Sequence, residues 1–122
     1  MIKLGLLSGA IFAGLSIVLG AFGAHALKEQ LSAYSMSVYE KAVLYQMFHA
    51  LAILLLTAIS RNIQGLNFDS SIWCFIIGII LFSGSLYILA ISDIKWLGMI
   101  TPVGGLLFIA GWFLVILKSF NL

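Results

Sequence analysis

Three polar side chains stand together in a stretch of sequence that is otherwise apolar. Tyr45, Gln46 and His49 lie between Ala42 and Ser60, and no residue of that stretch is charged. An ionisable group at bilayer depth is costly, so it usually faces other helices and often marks a functional site. A phenol, an amide and an imidazole within one helical turn can exchange hydrogen bonds or carry a proton.

Further polar residues are predicted to lie at the same membrane depth. The depth of each residue in the membrane follows from a rise of about 1.5 Å per helical residue. On four antiparallel helices this count places these polar side chains in the half of the membrane nearest the face that carries residues 25–41. We call this the loop-1 face and the opposite one, which carries both termini, the terminal face. The predicted ligand pocket consists of His25, Tyr45, Gln46, His49, Ser83, Ser85, Tyr87 and Thr101.

Three interpretations of this pocket remain open. The first is a hydrogen-bond network that fixes helix packing, with each bond contributing about 0.6 kcal/mol. The second is a binding site for a lipid headgroup, a quinone or a small solute, with His49 as a donor or proton carrier. The third, a metal or haem site, is disfavoured because His25 and His49 lack a nearby cysteine or a well-spaced carboxylate, and we expect no metal and no cofactor. We expect His49 to be buried and hydrogen bonded to a polar side chain of another helix.

The composition excludes a water-soluble protein. Of the 122 residues 63% are hydrophobic and only 8% are charged, whereas a soluble domain has about 25% charged residues. The net charge of +2 is not concentrated in a basic block, so we expect membrane lipids and no nucleic acid as partners. No serine lies in a nucleophile-elbow motif and no acidic pair lies in the apolar stretches, so we expect no enzyme.

Four charge-free stretches are long enough to cross the hydrocarbon core as helices. They comprise residues 4–24, 42–60, 70–92 and 96–117. Four continuous runs cannot close a membrane β-barrel, which needs many short strands of alternating polarity. The sequence therefore predicts a single transmembrane domain over residues 1–122, an all-α four-helix bundle in the cell membrane. Lys and Arg are divided equally between the two faces and do not predict its orientation.

The connection between the first two stretches is predicted to form a short amphipathic helix in the membrane interface. Apolar residues recur at helical spacing within residues 25–40, with charged and polar residues between them. Ser37 and Glu40 then match a capping box at the start of helix 2. A substrate or proton role for Glu40 is the alternative.

Glycine and proline predict how the helices pack. Gly5 and Gly9 form a GxxxG motif in the first stretch, which favours close packing within the chain, with a homo-oligomer as the alternative. Pro102 lies in the first two turns of the fourth stretch, where it removes a backbone donor and predicts a kink or a wide first turn.

Four strings in the sequence resemble the signature of one membrane protein family. They are Gly20–Leu27, Tyr45–Leu51, Leu81–Tyr87, and Ile100–Gly105 with Gly111–Trp112. The chain resembles the domain of unknown function 423 family, the YgdD-like small membrane proteins of bacteria and mitochondria. The resemblance covers all four stretches in order. It implies a four-helix integral membrane protein of the bacterial plasma membrane and no particular activity.

The leading prediction for function is non-enzymatic binding of a lipid or small amphiphile in the polar pocket. One alternative is a small transporter or proton-coupled carrier, which would need to be an oligomer because four helices enclose little lumen. The other is a structural protein that stabilises the membrane.

Overall fold

The computed structural model describes residues 1–122, which form helices and short connections without strands. The α-helices are α1 (Ile2–Phe22), α2 (Ala33–Asn62), α3 (Asp69–Ser92) and α4 (Thr101–Ser119). A π-helical turn, Gly23–Leu27, extends α1, and a 3-10 helix, Lys95–Met99, precedes α4. With these extensions four helices of 24 to 30 residues are long and apolar enough to cross a membrane. The prediction of an all-α membrane fold with four spans is confirmed.

The helices pack in the order of the chain. α1 lies on α2, α2 on α3, and α3 on α4. In the most apolar 18-residue segment of each helix, 44% of the residues of the inner helix α2 and 50% of those of the inner helix α3 are buried. In the outer helices α1 and α4 only 17% are buried. Since the exposed faces of α1 and α4 are covered with large apolar side chains, they suit contact with lipid.

Two clusters of buried side chains hold the inner helices together. One lies in the terminal half of the bundle and includes Ile53, Phe75 and Phe108. The other lies near the loop-1 face and includes Tyr39 and Leu86. In lipid, helices associate through close packing and interhelical hydrogen bonds. The clusters therefore set the positions from which polar side chains reach their partners.

The small residues of α1 face α2. Gly5 lies opposite Thr57, and a Cβ added at Gly9 would lie 2.7 Å from Cγ of Leu54. Ser16 is fully buried on the same side. The glycines therefore serve packing within the chain, which is the favoured interpretation of the GxxxG motif.

The prediction of a separate interfacial helix between helices 1 and 2 is wrong. Residues 28–32 form a turn, and α2 then begins at Ala33 and continues without a break to Asn62. The amphipathic pattern belongs to the first turns of α2, which precede the apolar stretch. Hydropathy marks where the chain enters the hydrocarbon, and a helix can begin well before that point.

The predicted capping box is also wrong. The N-cap of α2 is Ser32, whose Oγ accepts a hydrogen bond from the Ser35 N–H at 3.0 Å. Ser37 lies inside the helix and donates to the carbonyl of Tyr34 at 2.8 Å. Serine is a preferred N-cap residue, but only Ser32 has extended backbone angles and directly precedes the first helical residue. Glu40 is exposed and has no capping role.

Pro102 does not kink a continuous helix, so the predicted kink is wrong. The alternative, a wide first turn, is not found either, because the Val103 N–H bonds to the carbonyl of Ile100 at 3.0 Å with the tight 3-10 spacing. Pro102 lies in the first turn of α4, where a backbone N–H would have no helical partner and proline is well tolerated. The 3-10 helix ends at Met99, and the α-helical hydrogen bonds begin at the carbonyl of Ile100. The proline therefore lies just after the boundary between the 3-10 helix and α4, where no helical hydrogen bond is lost.

α3 and α4 approach each other closely at Gly104. A Cβ added there would meet the backbone nitrogen of Phe82 and lie 2.8 Å from its Cα. The contact brings the rings of Phe82 and Phe108 together beside α2, with their centroids 5.4 Å apart.

Candidate functional site

His49 lies between α2 and α4 with only 6% of its surface exposed. Its Nε2 is 3.1 Å from Nε1 of Trp112, and its Nδ1 is 2.8 Å from the carbonyl oxygen of Tyr45. An indole N–H can only donate, so Nε2 accepts and carries no proton. The proton is therefore on Nδ1, which donates to Tyr45, and the ring is neutral with both nitrogens occupied. The prediction that His49 is buried and bonded to another helix is confirmed.

Aromatic rings hold the imidazole in place. The ring of Phe108 is stacked on it at 3.7 Å with an interplanar angle of 9°, and the edge of Phe75 meets it at 5.1 Å. Both rings come from neighbouring helices, Phe75 from α3 and Phe108 from α4. Stacked and edge-to-face pairs favour such orientations beyond the area that they bury. His49 is thus a rigid part of the contact between helices.

Gln46 joins three helices. Its Nε2 donates to the carbonyl of Phe12 in α1 at 2.8 Å, and its Oε1 accepts from the Tyr87 hydroxyl of α3 at 2.7 Å. Only 3% of the side chain is exposed. Next to it the Ser83 hydroxyl donates to the carbonyl of Ala42 at 2.7 Å. These bonds satisfy polar atoms that would otherwise be unpaired in hydrocarbon.

Ser85 and Thr101 tie α3 to α4. Their hydroxyl oxygens are 2.6 Å apart, and Ser85 also donates to the carbonyl of Phe82 at 2.9 Å. Thr101 also reaches the carbonyl of Leu97 at 3.5 Å, so either hydroxyl can be the donor of the bond between them. The pair lies near the loop-1 face, and both hydroxyls form their hydrogen bonds within the protein.

The structure divides the predicted pocket residues among three places. Gln46, Ser83 and Tyr87 lie among the first three helices, Ser85 and Thr101 between α3 and α4, and Tyr45 and His49 between α2 and α4. His25 is exposed in the π-helical turn, and no hydrogen bond or ring contact joins it to the others. No three His, Cys, Asp or Glu side chains are grouped so that they could hold a metal ion.

The division follows from helix geometry. Tyr45 and Gln46 are adjacent in sequence, so their side chains are about 100° apart around α2. Gln46 faces α1 and α3, whereas the ring of Tyr45 lies against Phe82 of α3 and Phe108 of α4. An inner helix with neighbours on several sides sends consecutive polar residues to different partners.

A groove between α2 and α4 is open toward the lipid, and we call it the α2/α4 groove. It consists of two adjoining cavities of about 520 and 590 Å³, both lined by Tyr45, His49 and Trp112. Exposed apolar side chains of α2, such as Phe48 and Leu51, border the first. Residues of α4 and the ring of Phe82 border the second. The groove is apolar except at the side chains that the two cavities share.

The Tyr45 hydroxyl is the free polar group of this groove. Tyr45 is 41% exposed, and its ring packs against Phe82 at 4.7 Å. Its hydroxyl has no hydrogen-bond partner in the protein, whereas the nitrogens of His49 and Trp112 bond to each other. A phenol can both donate and accept. A molecule in the groove would therefore find one fixed hydrogen-bonding group on an apolar wall.

Comparison with known proteins assigns the chain to a family. A family model described as "Protein of unknown function (DUF423)" matches residues 19–105, which is more than half of the chain. The chain belongs to the DUF423 family. The matched range includes Tyr45, Gln46 and His49, and ends before Trp112.

Relatives of this DUF423 chain are named as membrane proteins. It is 48% identical over 119 residues to a UPF0382 membrane protein of Staphylococcus haemolyticus, with 98% of this chain and 97% of the relative covered. A UPF0382 membrane protein of Staphylococcus aureus is 47% identical over the same shares. One of Staphylococcus saprophyticus is 44% identical over 98% of this chain and 99% of its own. No solved structure matches the chain. This DUF423 chain is therefore a small membrane protein.

Sequence reasoning missed the role of Trp112 and Phe108 in the DUF423 chain. Trp112 was assigned no partner, although it supplies the N–H that fixes the tautomer of His49. Trp112 is six residues, about 9 Å, from Lys118, which is deeper than an interfacial aromatic belt but does not indicate a partner. No sequence signal connects it to His49.

Proposed function

We propose that this DUF423 protein is a non-enzymatic, multi-pass protein of the cell membrane that binds a lipid or a similar amphiphile. The binding site is the α2/α4 groove. The observation that supports this function is the free Tyr45 hydroxyl on the wall of an apolar, lipid-facing groove. Tyr45 would hydrogen bond to a polar atom of the ligand, and apolar residues would contact the chain.

The dimensions of the groove agree with this proposal. Its two cavities, of about 520 and 590 Å³, are each in the usual range of ligand sites. Tyr45 is four residues from Lys41, so it is about 6 Å inside the span, near the depth of the ester groups of a phospholipid. The groove extends from there toward the middle of the membrane. A lipid in its normal orientation would place a carbonyl oxygen near the hydroxyl.

The alternatives fit less well. A proton-coupled carrier would use His49, but each of its nitrogens is bonded within the protein. A purely structural role accounts for Gln46 and Ser83, whose bonds are internal, but not for the free hydroxyl of Tyr45. Proton-coupled solute flux into proteoliposomes that is lost in His49→Ala would favour the carrier.

Photo-crosslinking tests the groove directly. The protein is reconstituted with a phospholipid that carries a diazirine in its acyl chain, irradiated and digested, and the labelled peptides are identified by mass spectrometry. We expect label on α2 and α4 residues of the groove, and about threefold less of it in Tyr45→Phe. Leu51→Trp, which fills the groove, should also reduce it.

Matched variants separate binding from general lipid contact. Tyr34→Phe removes a phenol that is more exposed than Tyr45 and lies outside the groove, and Ile77→Trp enlarges an exposed residue of α3. Neither should alter the labelling. Label spread evenly over all exposed faces, and unchanged in Tyr45→Phe, would show that the groove binds nothing. A loss of melting temperature without a loss of label in Tyr45→Phe would support the structural role.

A further inference from the structure

A separate cavity lies on the other side of Leu44, at the loop-1 face, and we call it the α1/α2 crevice. It has a volume of about 270 Å³. One wall is formed by Gly20, Ala24 and Lys28, and the other by α2. The two small residues and Lys28 are four positions apart, so they form one helical stripe. Because Gly20 has no side chain and Ala24 only a methyl group, space is left between the two helices, and this space is the crevice.

Two opposite charges border the crevice. Lys28 and Glu40 both line it and are both exposed, and neither is paired with an opposite charge. Glu40 is free because Ser32 caps α2 in its place. A site with one unpaired cation and one unpaired anion is complementary to a zwitterion. Ammonium and carboxylate, and phosphate and lysine, form charge-assisted hydrogen bonds.

The loop-1 face as a whole carries no net charge. It holds three lysines and three acidic residues, namely Lys28, Lys41, Lys95, Glu29, Glu40 and Asp93. A cluster of basic residues attracts anionic lipids through its electric field, and the loop-1 face has no such cluster. Glu40 would moreover repel an anionic headgroup that approached Lys28. The charges of the crevice therefore favour a headgroup that is itself zwitterionic.

A stripe along α2 connects the crevice with the groove. Glu40, Leu44 and Phe48 are four residues apart, and Leu51 and Leu55 continue the same side. Leu44 lines both cavities. From Glu40 to Leu55 the helix rises about 22 Å, which equals about half the thickness of a bilayer with its headgroup layers. The stripe therefore has the length of one lipid leaflet.

We infer that the α1/α2 crevice binds the headgroup of a phospholipid with a primary ammonium and a phosphate. Glu40 accepts hydrogen bonds from the ammonium and Lys28 donates to the phosphate, while one acyl chain passes Leu44 into the α2/α4 groove. The inference rests on the proposed function and adds the class of headgroup to it. A quaternary ammonium has no N–H to donate, and a glycerol headgroup has no cation, so both should bind more weakly.

Competition among lipids of identical acyl chains tests this inference. The full-length protein is equilibrated in mixed micelles with equal amounts of phosphatidylethanolamine, phosphatidylcholine and phosphatidylglycerol, and retained lipids are counted by native mass spectrometry. We expect the ethanolamine lipid to be retained about fivefold over the others, as for a partly exposed charge-assisted pair. Glu40→Gln should remove this preference, and Lys28→Gln should reduce retention of all three lipids.

Neighbouring charges serve as matched controls. Glu29→Gln and Lys41→Gln make the same changes at exposed positions that do not line the crevice, and should leave the preference unchanged. If lipid is retained without any headgroup preference, or if the controls change it equally, the headgroup inference is wrong and the groove function stands. If no lipid is retained and no groove label is found by crosslinking, the proposed function itself is wrong.

Discussion

Replacing Gly104 with alanine tests the contact that positions α4 against α3. The new Cβ would meet the backbone of Phe82, at 2.8 Å from its Cα, and a backbone cannot move away as a side chain can. Overpacking costs about 1–3 kcal/mol, and we take the upper end here because the helices themselves have to separate. Alanine favours a helix over glycine by about 1 kcal/mol. We expect Gly104→Ala to lower the free energy of unfolding by about 2 kcal/mol.

Unfolding in mixed micelles with a rising fraction of dodecyl sulfate, followed by far-UV circular dichroism, measures this change. Gly84→Ala is the matched control, since a Cβ at Gly84 meets nothing within 4 Å and the substitution should stabilise α3 by up to about 1 kcal/mol. The two substitutions should therefore act in opposite directions. A Gly104→Ala protein as stable as the unsubstituted one would refute the close approach of the two helices.

Three further predictions concern hydrogen bonds. Trp112→Phe leaves an acceptor of His49 unpaired and should lower stability by about 1 kcal/mol, and ¹⁵N NMR of the unsubstituted protein should show the ring proton on Nδ1. A double-mutant cycle of Gln46→Leu and Tyr87→Phe should give a coupling energy of about 0.6–1.7 kcal/mol in the same unfolding assay, and additive effects would contradict their bond. Ser32→Ala should cost about 1 kcal/mol, measured as a fall in the unfolding midpoint, because it removes the N-cap of α2.

The four spans could be predicted because charge is so strongly excluded from hydrocarbon. The start of α2 could not, since its first turns lie outside the apolar stretch and hydropathy does not report on them. Two serines five residues apart both suited a cap, and the choice of Ser32 depends on the turn that precedes it. Pro102 had a position consistent with either a kink or a helix start, and the 3-10 helix before it decided the outcome.

The polar residues of the site could be predicted as a group but not as contacts. Depth along the helices correctly placed His49 inside the protein. The spacing of Tyr45 and Gln46 places both on one broad stripe of the helix. A stripe of this width meets more than one neighbour, so Gln46 reaches α1 whereas Tyr45 reaches α4. The partner of His49 is 63 residues away in sequence, and no local pattern connects it to Trp112. Long-range pairs of this kind depend on how the helices are arranged in the plane of the membrane.

Packing in chain order has a consequence for biogenesis. Each span finds its main neighbour in the span that was synthesised just before it, so most contacts can form while the chain is still leaving the ribosome. The bond between Trp112 and His49 is different, because it joins α4 to α2 across the intervening span. Until α4 is inserted, the imidazole faces the bilayer without its indole donor. Closure of that pair therefore requires α4 to be in place.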